Sequence, residues 1–235
     1  MYDTTDVSTI DVLILCGGLG TRLQPVSGGG QKILVELAGK PFIDILIESL
    51  LPFGFKRFIL CVGYERDRVK EHFRSKNLEV VFSEENEPLG TGGAIKNAEP
   101  YIKSSPFLVL NGDSLCRINY AKFIEFHCSK GGLLSIVLAR PMAESGYGII
   151  DIDENHKVIN FKEKAKAYKG KYINAGIYLL NHEIFRLMPQ TTHFSLEYDL
   201  FPSVLMQGCY GFVVEEEVID IGTPERYYRA KSIFS

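Results

Sequence analysis

Four short apolar runs limit what this chain can fold into. "DVLILC" (11–16), "RFILCVG" (57–63), "EVVFSEE" (79–85) and "PFLVLNGD" (106–113) each read as a strand. Their apolar residues are consecutive rather than alternating, the pattern of strands covered on both faces. Amphipathic stretches separate them. "FIDILIESLLPFG" (42–54) has apolar residues at helical spacing, with Pro41 at its entry and Gly54 past its end, and 65–75 reads as a charged surface helix. Strand alternating with helix implies an α/β fold, a mainly parallel sheet with helices on both faces.

The second half has another rhythm. "GLLSIVLARP", "YGIIDID", "KVINFKEK" and "KYINAGIYLLN" are closely spaced strand candidates, and "DENHK" (153–157) is a turn between two of them. They read as antiparallel additions to the sheet. Short helices are expected near 182–188 and 197–206. "TPERYYRAKSIF" reads as a closing helix with Thr223 as N-cap, Pro224 at its first position and Glu225 in its first turn. With no internal repeat, low-complexity segment or linker, one domain over residues 1–235 is the simplest organisation.

Composition narrows the partners. Hydrophobic residues make up 46% and charged residues 23%, enough for a packed core in a soluble protein. A net charge of −3 argues against a nucleic-acid partner, so any anion site must be local. The five cysteines form no CxxC pair and read as free thiols in a reducing cytoplasm. Residues 1–9 are polar, unlike a signal peptide, and no run is long enough to span a membrane.

After the first strand comes "CGGLGTRLQPVSGGGQK" (16–32), placed where open α/β sheets bind ligands. Gly17, Gly18 and Gly20 leave backbone amides uncovered for phosphate oxygens. A dinucleotide fingerprint fails because Leu23 stands at the third glycine position. A Walker A loop fails because Gly39-Lys40 is followed by Pro41 and Leu34 replaces the first glycine. Two readings stay open on these residues alone: a mobile turn with two solvated cations, Arg22 and Lys32, or a triphosphate cradle.

"LCGGLGTRL…QKILVELAGKPFI" resembles the sugar-1-phosphate nucleotidyltransferases, and further motifs extend the resemblance over residues 13 to about 227. These are "EPLGTGGAI" (87–95), "VLNGDS" (109–114), "SGYGII" (145–150), "NFKEKAK" (160–166), "NAGIYLLN" (174–181) and "VIDIGTPERY" (218–227). The resemblance implies a single Rossmann-like nucleotidyltransferase domain, its nucleotide-binding part about 11–115 and its sugar-phosphate part about 116–235. It implies transfer of a nucleotidyl group from a nucleoside triphosphate to a sugar 1-phosphate, with release of pyrophosphate. Arg22, Lys32, Asp113 and Asp220 would be catalytic, the two aspartates holding Mg²⁺. Leu15, Gly17, Gly18, Gly20, Thr21, Gly90 and Thr91 would bind the nucleotide. Gly148, Glu163, Lys164 and Asn174 would bind the sugar phosphate. Thr91 also reads as the N-cap of a helix beginning near Gly92. The usual family pattern has proline before the lysine, where this chain has Gln31, and 26–31 is expected to be loose until nucleotide binds.

"EPLGTGGAI" and "FSLEYDLFP" (194–202) are similar to segments of mannose- and heptose-1-phosphate guanylyltransferases, and Ser195 also reads as an N-cap. They imply GTP and, for a compact chain, D-glycero-α-D-manno-heptose 1-phosphate, serving lipopolysaccharide or capsule synthesis in the cytoplasm. A mannose enzyme, or a thymidylyl-, uridylyl- or cytidylyltransferase, is the alternative. A non-catalytic sugar-nucleotide regulator would be expected to lose Arg22, Lys32 or a metal acid, and this chain keeps all four. A phosphate nucleophile needs no general base; His72, His127, His156, His182 and His193 read as surface positions. No membrane or nucleic-acid partner is expected, and a homo-oligomer stays open.

Overall fold

The computed structural model describes residues 6–18, 20–23, 30–141, 147–162 and 171–234. Its strands are β1 (Val12–Leu15), β2 (Glu36–Leu37), β3 (Lys40–Pro41), β4 (Arg57–Val62), β5 (Glu79–Glu84), β6 (Phe107–Asn111), β7 (Ser114–Leu115), β8 (Leu134–Ala139), β9 (Ile149–Ile152), β10 (Val158–Lys162), β11 (Tyr172–Leu180), β12 (Cys209–Val213) and β13 (Ile219–Asp220). Its α-helices are α1 (Phe42–Leu50), α2 (Arg66–Phe73), α3 (Gly90–Ala98), α4 (Tyr120–Lys130), α5 (Phe201–Gly208) and α6 (Pro224–Ile233).

Nine strands form one mixed sheet in the order β10-β9-β11-β6-β1-β4-β5, with β8 also paired to β11 and β12 outside β8. The four expected strands of the first half, β5, β4, β1 and β6, are parallel neighbours. Strand β11 then joins β6 antiparallel, and β8, β9 and β10 add antiparallel pairs. The second half departs from expectation at β12, which joins β8 in parallel. "CYGFV" gives little strand signal, being short and interrupted by Gly211.

The apolar runs are continuous because successive residues feed two cores. In β1, Val12 and Ile14 enter one core, with α1, α2, α4 and α6, while Leu13 enters the other, with α3 and α5. Helices thus cover both faces, as the α/β reading requires. The apolar stripe of α1 (Phe42, Ile43, Leu46, Ile47, Leu50) is buried; a 3₁₀ turn, Leu51–Phe53, follows it and stops at Gly54 in the left-handed region (φ 98°). Thr223 caps α6 by accepting from the Arg226 amide, with Pro224 at the first position. No helix among the described residues is long and apolar enough to cross a membrane.

Candidate active site

The carboxyl ends of the parallel strands open onto one crevice, the usual ligand position in such sheets. A cavity of about 290 Å³ is lined there by Leu15, Gly17, Gly18, Gln31, Lys32, Glu85, Gly90, Thr91, Asn111 and Asp113, among others. A second, of about 390 Å³, shares Gly90, Thr91, Asn111 and Asp113 and adds Arg22, Tyr147, Gly148, Asn174, Glu197, Asp220 and Arg226. The two adjoin along those shared residues. Of the expected site residues, Gly20 and Thr21 line neither cavity. Glu163 and Lys164 lie outside the described residues, as do 26–29 of the loop expected to be loose.

Asp113 and Asp220 meet through a two-residue ribbon. Strand β13 pairs with β7 so that Asp220 stands opposite Ser114, and the Ile221 amide donates to the Asp113 carbonyl at 3.0 Å. The Lys32 ammonium pairs with Asp113 Oδ2. Asp220 Oδ1 accepts from the Gly222 amide at 2.6 Å and its Oδ2 from Arg226 Nη1 at 3.2 Å. The Arg226 guanidinium lies over the Tyr147 ring, 4.1 Å from its centroid. Burial works against the Asp113 anion, but the charge and hydrogen bond of Lys32, with the Ser114 hydroxyl, hold its carboxyl below the usual range. At Asp220 burial and then the Asp113 charge push the pKa up. Two facing carboxylates, one resisting ionisation through burial and then the other's charge, suit a hard cation.

Glu85, just past the end of β5, is 7% exposed and lines the first cavity. Its Oε2 accepts from the Leu89 amide at 3.3 Å, and burial raises its pKa. A Cβ at Gly17 would come within 2.5 Å of Glu85 Oε1, so the first loop glycine leaves that carboxylate its room. Glu85, Asn111, Glu197 and Arg226 were not singled out from sequence. Asn111, Glu197 and Arg226 lie inside quoted motifs and Glu85 stands two residues before one, which was the available signal.

Two expectations change, at Thr91 and His127. Thr91 is not a helix cap: α3 begins at Gly90, and the Phe194 carbonyl accepts from the Gly92 and Gly93 amides at 3.1 Å each. Thr91 Oγ1 instead donates to Glu197 Oε2 (2.7 Å) and accepts from the Leu196 amide (2.8 Å). Ser195 does cap, accepting from the Glu197 and Tyr198 amides at the start of a π-helical turn, Leu196–Leu200. Asn174 lines the second cavity, yet its side chain also serves the fold, donating to Tyr178 Oη and accepting from the Gly176 amide. His127 is no surface residue: it is 2% exposed, between Ser135 and Asn181.

Comparison with known proteins identifies the family. A model described as "Nucleotidyl transferase" matches residues 11–234. The D-glycero-alpha-D-manno-heptose 1-phosphate guanylyltransferase of Campylobacter jejuni is 36% identical over 93% of this chain and 97% of its own length. Mannose-1-phosphate guanyltransferase 2 of Candida glabrata is 36% identical over 94% of this chain; the match spans 64% of that protein, just under two thirds. The crystal structure of HddC from Yersinia pseudotuberculosis superposes with a TM-score of 0.83 at 41% identity, covering 96% of this chain and all of that one. The same protein has been solved complexed with GMP-PN. A match over every described strand and both cavities makes this chain a member of the nucleotidyl transferase family.

Proposed function

We propose that the chain joins a nucleoside triphosphate to a sugar 1-phosphate: a phosphate oxygen of the sugar attacks the α-phosphorus, and pyrophosphate leaves. One observation carries this reading. Asp113 lines both adjoining cavities, with Lys32 and Asp220 beside it, so substrates held on either side would meet at one charged point. Such a transfer needs positioning and charge stabilisation rather than a proton relay. In this reading Lys32 exchanges its carboxylate partner for the α-phosphate, and Arg22 offers its planar fork of donors to the pyrophosphate. Asp113 and Asp220 would hold Mg²⁺ through their oxygens. When bound, the cation would neutralise charge on the nucleotide's phosphates. Among the described residues no three His, Cys, Asp or Glu side chains cluster, so the remaining ligands would come from substrate and water. Gly148, Glu163, Lys164 and Asn174 are assigned to the sugar phosphate.

Glu85 supports guanine. An ionised carboxylate only accepts, and guanine presents two adjacent donors on its pairing edge, N1–H and the 2-amino group. Uracil and thymine present one N–H between two carbonyl oxygens, which would face Glu85 with like charge. The heptose enzyme that matches over nearly the full length of both chains supports D-glycero-α-D-manno-heptose 1-phosphate as the acceptor. The matching mannose enzyme makes mannose 1-phosphate the second candidate. The product would serve surface-glycan synthesis from the cytoplasm.

Pyrophosphate release, measured with four nucleoside triphosphates against heptose, mannose and glucose 1-phosphates, tests the assignment. GTP with the heptose phosphate is expected to be fastest. Asp113→Ala and Lys32→Ala should each lower turnover by about 10²-fold or more with the fold intact. Near wild-type rates in either variant would sink the assignment.

A further inference from the structure

One side chain lining the first cavity has no part in the reaction above. Gln31, immediately before Lys32, is 2% exposed. Its Nε2 donates twice, to the Cys16 carbonyl at 3.1 Å and to the Tyr64 carbonyl at 2.8 Å. Both partners are acceptors, which fixes the amide's orientation: nitrogen toward the carbonyls, oxygen away from them. Cys16 follows β1 and Tyr64 lies just past β4, so a single amide ties the lysine's segment to the ends of two central strands. The Gln31 backbone has φ −60° and ψ 124°, angles that proline adopts freely, so backbone conformation does not require glutamine here. Its Oε1 is buried without a hydrogen-bond partner among the described residues. Buried acceptors are normally paired, and this one belongs to a residue that lines the cavity assigned to the nucleotide.

We propose that Gln31 is the positioning residue for Lys32: its doubly donating amide holds the lysine's segment against the sheet. The proposal rests on the nucleotidyl-transfer reading. The Lys32 side chain has four rotatable bonds, and a misplacement of about 1 Å is enough to slow a positioned reaction by roughly 10²-fold. Two hydrogen bonds from the preceding residue fix the point from which that side chain starts. Leu34 and Val35 continue the anchoring: their amides donate to the carbonyls of Gln31 and Lys32, closing a 3₁₀ turn. At Gln31, therefore, the segment expected to be loose is already tied down.

Two variants separate the clamp from simple stiffness. Gln31→Met keeps the side chain's length and removes both polar groups; Gln31→Pro keeps φ and removes the amide. Each should melt within a few degrees of wild type. Each should lose about tenfold or more in kcat, with KM for the sugar phosphate changed less than about threefold. The Lys32 amine, followed by mass spectrometry during acetylation of the free protein, should react faster in both variants than in wild type. A fully active Gln31→Pro would show that stiffness suffices and overturn the proposal. Unchanged Lys32 reactivity in both variants would do the same, and so would loss of the fold in both, which would make Gln31 structural. If the wild type releases no pyrophosphate with any nucleotide, the functional reading fails, while the acetylation rates still decide the clamp.

Discussion

Glu85 and His127 are buried polar residues whose pKa values burial shifts in opposite directions. Burial raises the Glu85 pKa above its ordinary 4.5. The anion that would accept from guanine is therefore the form burial disfavours. Guanine donors would stabilise it, so guanosine should bind with release of a proton at pH values below the raised pKa, and its affinity should fall as the solution is acidified. Calorimetry from pH 7.5 to 5 reads this directly; Glu85→Gln should flatten the profile and cut the preference for GTP over UTP by about 10²-fold. A wild-type affinity independent of pH would remove Glu85 from base recognition. At His127 the pKa shifts the other way. Asn181 Oδ1 can only accept, so the His127 Nε2 carries the proton and Nδ1 accepts from the Ser135 hydroxyl. Burial holds the His127 pKa below 6.5. The unfolded chain then binds a proton that the folded chain refuses, so stability is lost as pH falls through 6.5 toward the lowered value. In urea unfolding, wild type should lose more stability between pH 7.5 and 5.5 than His127→Gln does. The sequence hid both roles for one physical reason: each depends on partners, Leu89 for the first and Ser135 with Asn181 for the second, whose approach is set by tertiary packing.

At the scale of elements, the glycines of "GTGG" show how a helix start becomes a joint. The Phe194 carbonyl accepts from the Gly92 and Gly93 amides, while the Phe194 amide donates to the Leu89 carbonyl at 3.0 Å. The segment before the π-helical turn therefore caps α3, a role that the sequence alone suggested for Thr91. A Cβ on Gly92 would lie 2.3 Å from the Phe194 ring, and one on Gly93 would lie 2.2 Å from the Thr192 carbonyl oxygen. Gly93→Ala should cost roughly 1–3 kcal/mol, the usual range for overpacking, because the obstacle is backbone. Since Thr91 also reaches Glu197 across this joint, the variant should raise KM for both substrates, measured beside its melting curve. Strands were easier to find than such joints. β1, β4, β5 and β6 were legible because continuous apolar runs serve two cores. β12 was not, because its five residues gain strand character only by pairing with β8.

The whole molecule depends on a shared sheet. Residues 11–115 and 116–235 were assigned to nucleotide and sugar phosphate, yet neither half closes a core alone. Strand β11 pairs with β6 from the first half and with β8 and β9 from the second. One core joins Val12, Phe58 and Leu108 with Val137, Ile177 and Ile221; the other joins Leu13 and Ile59 with Tyr178 and Phe201. Asp220 reaches Asp113 only because the chain returns to β7 near its end. Separating the halves would expose apolar faces of β6 and β11 together, a loss no local contact offsets. Unfolding should therefore be one cooperative transition despite 235 residues, a length at which intermediates are common. Calorimetry should give equal van't Hoff and calorimetric enthalpies, and a fragment of residues 6–115 should show no cooperative melting. GTP added with Mg²⁺ should raise the whole transition, by about 2.7 kcal/mol at a hundred times its Kd, rather than split it. Two resolved transitions, with only one moved by nucleotide, would mean that the site is assembled from two independently stable units.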